Sequence, residues 1–219
     1  MKYEILEDGV IKISLDNGKA NPISLALANE LITALDKAQE DGKGVLLCGN
    51  PGIFSAGFDL KVIAEGMDKA HAMLNAGFLM VEKLYKHPQP VVIACEGHAV
   101  GMGVFMLLAA DYRVGAKGPF AIRLPETAIG MHFTEVLKII AKNHIAPHHH
   151  SRAIVQSRPY APEEAAQIGM LDETATSEDV VNIATQRLKE LCELPADKYA
   201  ENKLHMREAE IKAIRASLL

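Results

Sequence analysis

Residues 91–131 read VVIACEGHAVGMGVFMLLAADYRVGAKGPFAIRLPETAIGM. Residues 91–95 are an unbroken apolar run, the pattern of a strand covered on both faces. Glycines at 97, 101 and 103 then space a turn, an apolar helix is expected over 101–110, and Glu126 is a lone carboxylate among Ile122, Leu124, Ile129 and Met131. A helix that opens at such a turn offers backbone N–H groups without intrahelical acceptors, and its dipole favours negative charge there. A carboxylate enclosed by apolar side chains resists ionisation and titrates high, toward the range of a useful base, unless the neighbouring Arg123 points inward. Amides aimed at an oxyanion, together with a base, suit chemistry beside a carbonyl.

Upstream, residues 2–7 and 10–15 form two short strands joined at Asp8-Gly9. Ser24 caps a helix to about residue 40 that buries Leu25, Leu27, Ala28, Leu31, Ile32, Leu35 and Ala38. Residues 44–49 (GVLLCG) are a fully apolar strand, as expected where helices cover both faces of a sheet. FSAGFDLK (54–61) precedes a helix over about 68–86 that His87-Pro88 ends. Downstream, short strands are expected at 111–115 and 119–122. From 134 onward the pattern is helical only, over 134–143, 147–156, 162–168, 177–193 and 196–216, with prolines near the breaks. This order implies an α/β core over residues 1–175 and a helical C-terminal region over 176–219. In the last helix Tyr199, Leu204, Met206, Ala209, Ile211, Ile214 and Leu218 suggest packing on the core or a neighbour.

The 219 residues are 49% hydrophobic and 23% charged with net charge −5, a globular composition that argues against nucleic acid or an anionic membrane as the main partner. No apolar run reaches the roughly 18 residues of a membrane span, and the charged, alternating N-terminus is unlike a secretory leader. Cys48, Cys95 and Cys192 are odd in number and lack metal spacing, so they read as buried thiols of a reducing compartment, the cytoplasm.

FSAGFDLK, GHAVGMGVF and LPETAIG, followed by RPYAPEEAAQIGMLDET (158–174), together resemble the crotonase (enoyl-CoA hydratase/isomerase) superfamily over about residues 1–175. The resemblance implies a crotonase-like α/β fold of repeated ββα units with C-terminal helices, an acyl-CoA substrate, no cofactor beyond the coenzyme A of that substrate, and a homotrimer or hexamer. It implies an oxyanion hole from the backbone N–H groups of Phe58 and Met102, with Gly101 and Gly103 allowing close approach of the main chain, and Glu126 as the catalytic glutamate. The loops carrying Lys19, Ala20, Asn21 and Pro22, and Ala56, Gly57, Asp59, Leu60 and Lys61, would hold coenzyme A. Asp59 reads better as a helix cap than as a catalyst.

Hydratases of the superfamily usually carry a second glutamate where this chain has Phe105. Phenylalanine can neither handle water nor protonate carbon. The pattern is closer to the Δ3,Δ2-enoyl-CoA isomerases, whose single carboxylate moves a proton from C2 to C4. Hydration of a 2-enoyl-CoA or another crotonase-type hydrolysis is the alternative, with His132 or Glu135 as the second group. A non-catalytic acyl-CoA-binding protein is a further alternative. Phe58, Met73, Phe78 and Phe105 are candidate walls of an acyl pocket, and Met73, Met80 and Met106 candidate core fillers. His148, His149 and His150 are not expected to hold a metal, since consecutive side chains on a helix point about 100° apart.

Overall fold

Alternate residues of the apolar strands face two different cores, and this organises the molecule. The computed structural model describes residues 1–6, 9–216 and 218. Strand β1 (Lys2–Ile5) pairs antiparallel with β2 (Ile11–Ser14); residues 7 and 8 of the expected hairpin lie outside the described residues. Helix α1 (Leu25–Glu40) follows, its Ser24 Oγ accepting from Leu27 N at 3.2 Å.

Next come strands β3 (Val45–Cys48) and β4 (Gly52–Ser55) with helices α2 (Leu60–Ala64) and α3 (Met67–Tyr85). The same order recurs in β5 (Val91–Cys95), β6 (Gly97–Val100) and α4 (Met102–Ala109). It recurs again in β7 (Tyr112–Ala116), β8 (Ile122–Arg123) and, after a loop, α5 (Glu135–His144). The first strand of each repeat joins one sheet and the second joins another. With β9 (Glu173–Ala175), the sheets run β1-β2-β3-β5-β7-β9 and β4-β6-β8, and every pairing after β1–β2 is parallel.

Val45, Leu47, Val91, Ile93 and Cys95 pack into the main core with α1, α3 and α4. Leu46, Cys48, Val92 and Ala94 face the opposite side, against Val180, Ala184 and Leu188 of α7 (Val180–Cys192). Two covered faces explain why these strands are apolar throughout rather than alternating. All eight residues of α4 are buried. Helix α6 (Pro162–Gln167) precedes β9, and α8 (Ala196–Met206) and α9 (Glu208–Ala216) end the chain, with α9 packed on α3 and α5.

The structure departs from the sequence reading in several places. The glycine-spaced segment after β5 holds strand β6, and residues 52–55 are a further strand; residues 173–175 are a strand too, so the chain beyond 134 is not helical only. All three are three or four residues long, too short to display a period. Residues 147–156 form a 3₁₀ turn and a π-helical turn rather than an α-helix. The expected helix over 196–216 is broken at Arg207 into α8 and α9; Ile214 is fully buried, whereas Met206 is 78% exposed and Leu204 is also exposed. Leu25 is exposed because it opens α1 on the solvent side, and Cys192 is exposed, unlike Cys48 and Cys95.

Candidate active site

The loop after β4 is held by buried polar groups. Ser55 Oγ donates to Asn21 O at 2.8 Å and accepts from Gly57 N at 3.2 Å. Asn21, with φ of 45°, donates through Nδ2 to Phe54 O and accepts from Asn17 N. Both side chains are fully buried. Ile23 N then donates to Gly57 O, and Asp59 N donates to Ile23 O. These bonds use the carbonyl of 57 and the amide of 59. In extended chain the amide of Phe58 between them points the other way, and among the described residues it has no acceptor.

Gly57 (φ 85°) is where this loop meets α4: a Cβ there would stand 2.7 Å from Val100 O and 3.3 Å from Met102 N. Met102 is the first residue of α4, so its N–H has no intrahelical acceptor. Gly101 before it has φ of 52° and ψ of −119°, a conformation that favours glycine. The sequence therefore brings two unspent amides to one place, at the positive end of a buried helix.

Glu126 opens a 3₁₀ turn (Thr127–Ile129) beyond β8. The turn is pinned by Met131 N donating to Glu126 O, and by Ala128 N donating to Ser157 Oγ. The carboxylate lies over Gly101, whose Cβ would stand 3.4 Å from Glu126 Oε1. Glu126 is 6% exposed, Oε2 has no hydrogen-bond partner, and burial pushes its carboxyl up to about 7. Arg123 does not offset this, because its Nε donates to Ser157 O at 2.7 Å.

Phe58, Met102 and Glu126 line one cavity of about 360 Å³. Ala56, Gly57, Leu60, Gly101, Phe105 and Phe78 line it too, with Leu74, Val100, Leu137 and Thr134 added by the fold. Lys19, Ala20, Asp59 and Lys61 lie outside it. Asp59 caps α2, with Oδ1 accepting from Lys61 N at 3.0 Å, and Lys19 and Lys61 are exposed. Met73, like Met80 and Met106, is fully buried and does not line the cavity.

The enclosure of Glu126 is partly as expected. Ile122 and Leu124 are fully buried, and Ile129 and Met131 line the cavity, but Ile129 is 47% exposed. Of the candidate second groups, His132 lines the cavity from an exposed position, and Glu135 is exposed and paired with Lys138. The rings of His148 and His149 are tilted against each other with centroids 4.4 Å apart, and His150 Nε2 bonds Ile145 O. Among the described residues no group of three His, Cys, Asp or Glu side chains could hold a metal ion.

The sequence reading placed Asn21 only in a loop expected to hold coenzyme A and assigned no role to Ser55 or Thr134. Asn21 and Ser55 stood inside quoted motifs, but only the fold reveals their burial and their hydrogen bonds.

An apolar-walled cavity with two free amides and one high-titrating carboxylate can hold a carbonyl oxygen and move a proton at the adjacent carbon. Known proteins carry the same arrangement of chain. A family profile described as enoyl-CoA hydratase/isomerase matches residues 6–217. Human mitochondrial enoyl-CoA delta isomerase 1 is 30% identical over 210 residues, 92% of this chain and 68% of that protein. A carnitinyl-CoA dehydratase of Salmonella enteritidis is 25% identical over 185 residues, 83% of this chain and 70% of that protein. The crystal structure of an enoyl-CoA hydratase/isomerase family protein from Pseudomonas syringae superposes with a TM-score of 0.96 at 33% identity, covering 99% of this chain and 94% of that one.

Proposed function

The chain belongs to the enoyl-CoA hydratase/isomerase family, and we propose that within it the protein shifts the double bond of a 3-enoyl-CoA to give the conjugated 2-enoyl-CoA. The thioester oxygen accepts from the amides of Phe58 and Met102. The Glu126 carboxylate takes a proton from C2, and the electron pair spreads over the carbonyl and the C3–C4 double bond as a dienolate. The amides carry the charge on oxygen. Glu126 then returns the proton to C4, which leaves the double bond at C2–C3. One carboxylate near pH 7 serves both directions, since it is neither too weak to accept the proton nor too strong to return it.

The observation that carries this reading is that Glu126 shares its cavity with the buried Phe105, and no second acid among the described residues lines it. A proton shuttle needs one carboxylate and a pocket that excludes water; hydration needs a second group for the water. His132, in the wall of the same cavity, is what favours hydration as a second reading. Coenzyme A is taken to lie along the loops of Lys19 and Ala20 and of Ala56, Gly57, Asp59, Leu60 and Lys61. A homotrimer or hexamer is proposed from the family resemblance. The proposed compartment is the cytoplasm, on the buried thiols Cys48 and Cys95; the mitochondrial name of the human relative belongs to that protein. No helix among the described residues is long and apolar enough to cross a membrane.

The test is a turnover assay with 3-enoyl-CoA and 2-enoyl-CoA side by side. Isomerisation is expected to dominate. Hydration of the 2-enoyl ester at a comparable rate, lost on His132→Ala, would instead support the second reading.

A further inference from the structure

The amide of Phe58 belongs to the loop after β4, but its ring is seated on another element, α3. Gly77, on the buried side of that helix, has no side chain where the ring arrives. A Cβ there would collide with Phe58 Cε1, stand 2.5 Å from Phe58 Cζ and lie 3.6 Å from Met102 Cε. A real Cβ does not approach another carbon so closely, so the ring occupies space that any residue but glycine would fill. The helix itself does not ask for glycine: α3 runs unbroken from Met67 to Tyr85, and glycine in a helix interior is less stable than alanine.

The surroundings decide where a displaced ring would go. Ile23 N donates to Gly57 O and Asp59 N to Ile23 O, so the backbone on both sides of Phe58 is pinned and its amide stays in place. Phe78 stands edge-on to the ring with centroids 6.2 Å apart, and the tip of Met102 closes in from α4. Phe58, Leu74, Phe78 and Met102 line the cavity of Glu126, whereas Gly77 does not. The ring therefore stands between Gly77 and the cavity, and moving off α3 means moving into space that an acyl chain would use. These walls are apolar, so each methylene the cavity accepts adds affinity, about fourfold apiece.

We propose that Gly77 is a specificity-determining residue. Its missing side chain is the recess into which the Phe58 ring withdraws, and that recess opens the cavity to acyl thioesters with chains longer than hexanoyl; resting on the isomerase reading above, these are 3-enoyl thioesters.

The experiment measures Kd for the saturated hexanoyl-CoA and decanoyl-CoA by calorimetry, and kcat/KM for 3-hexenoyl-CoA and 3-decenoyl-CoA. The proteins are wild type, Gly77→Ala, Phe58→Leu and the double variant. Wild type should bind decanoyl-CoA more tightly than hexanoyl-CoA. Gly77→Ala should weaken decanoyl-CoA about tenfold more than hexanoyl-CoA, the worth of one to two methylenes, with the same split in kcat/KM. Leucine lacks the ring atoms that the added Cβ would meet, so in the Phe58→Leu background Gly77→Ala should leave the ratio of the two affinities unchanged.

An equal loss for both chain lengths in Gly77→Ala overturns the proposal, as does a wild type that binds decanoyl-CoA no better than hexanoyl-CoA. A shift that persists in the Phe58→Leu background has the same consequence, because the ring would not be its cause. Alanine is the better helix former, so α3 itself should survive; a Gly77→Ala protein that unfolds and is not restored by Phe58→Leu would make the glycine structural and overturn the proposal too. If the affinities divide as expected but wild type isomerises neither enoyl ester, the isomerase reading fails and the recess stands as the determinant of acyl-chain length.

Discussion

Asp111, at the start of β7, and Glu126, beyond β8, are both buried carboxylates in opposite circumstances. Asp111 Oδ2 accepts from Val91 N at 2.8 Å and from Lys203 Nζ at 2.6 Å, and Oδ1 pairs with Arg207 Nη2 at 3.1 Å. Arg207 also donates to Tyr85 O and lies over the Tyr85 ring. One acid thus ties β5, α3 and the α8–α9 turn together. Even so, burial pulls the Lys203 ammonium down to about 8, so the charges in this cluster depend on one another. Among the described residues Glu126 has no cation beside it and no partner for one oxygen, and burial raises it instead. The paired acid holds the structure; the unpaired one is stored ready to change its charge.

Breaking the paired side should have the largest effect on stability. Asp111→Ala leaves Lys203 and Arg207 buried against no carboxylate and should cost about 3–5 kcal/mol in urea unfolding. Protein that remains folded should keep its specific activity, since Asp111 is remote from the cavity.

Removing the unpaired acid should do the reverse. The carboxyl of Glu126 titrates near 4.5 when unfolded and near 7 when folded, so the fold loses stability as pH rises through that window. Glu126→Gln should therefore be more stable than wild type at pH 8, by at most about 3 kcal/mol. The two should converge at or below pH 4.5, and an unchanged difference across that range would mean the carboxyl is not perturbed.

A smaller effect is expected at the hinge between the two amides. Gly57→Ala places a side chain at φ 85° and against Val100 O, costing about 1–3 kcal/mol. By moving Phe58 N away from Met102 N it should lower kcat more than it raises KM.

The two regions were unequally visible in the sequence. Gly101, Met102 and Glu126 stand in a continuous motif, and β5 and α4 are apolar runs long enough to read. The Asp111 cluster joins residues 92 positions apart through Lys203, and no local pattern announces that pairing. Strands β4, β6 and β9 were missed because each belongs to a sheet by pairing alone. Helix 196–216 read as continuous because Arg207 is an ordinary helix former, and its engagement with Asp111 and Tyr85 is tertiary.

The most direct test follows kcat/KM for 3-hexenoyl-CoA against pH in wild type and Glu126→Gln, reading formation of the conjugated thioester. Wild type should rise about tenfold per pH unit up to about 7 and then level. The variant should be slower by at least about 10²-fold and flat. A variant that turns over at the wild-type rate, with the same pH profile, would contradict the assignment of Glu126 as the proton shuttle.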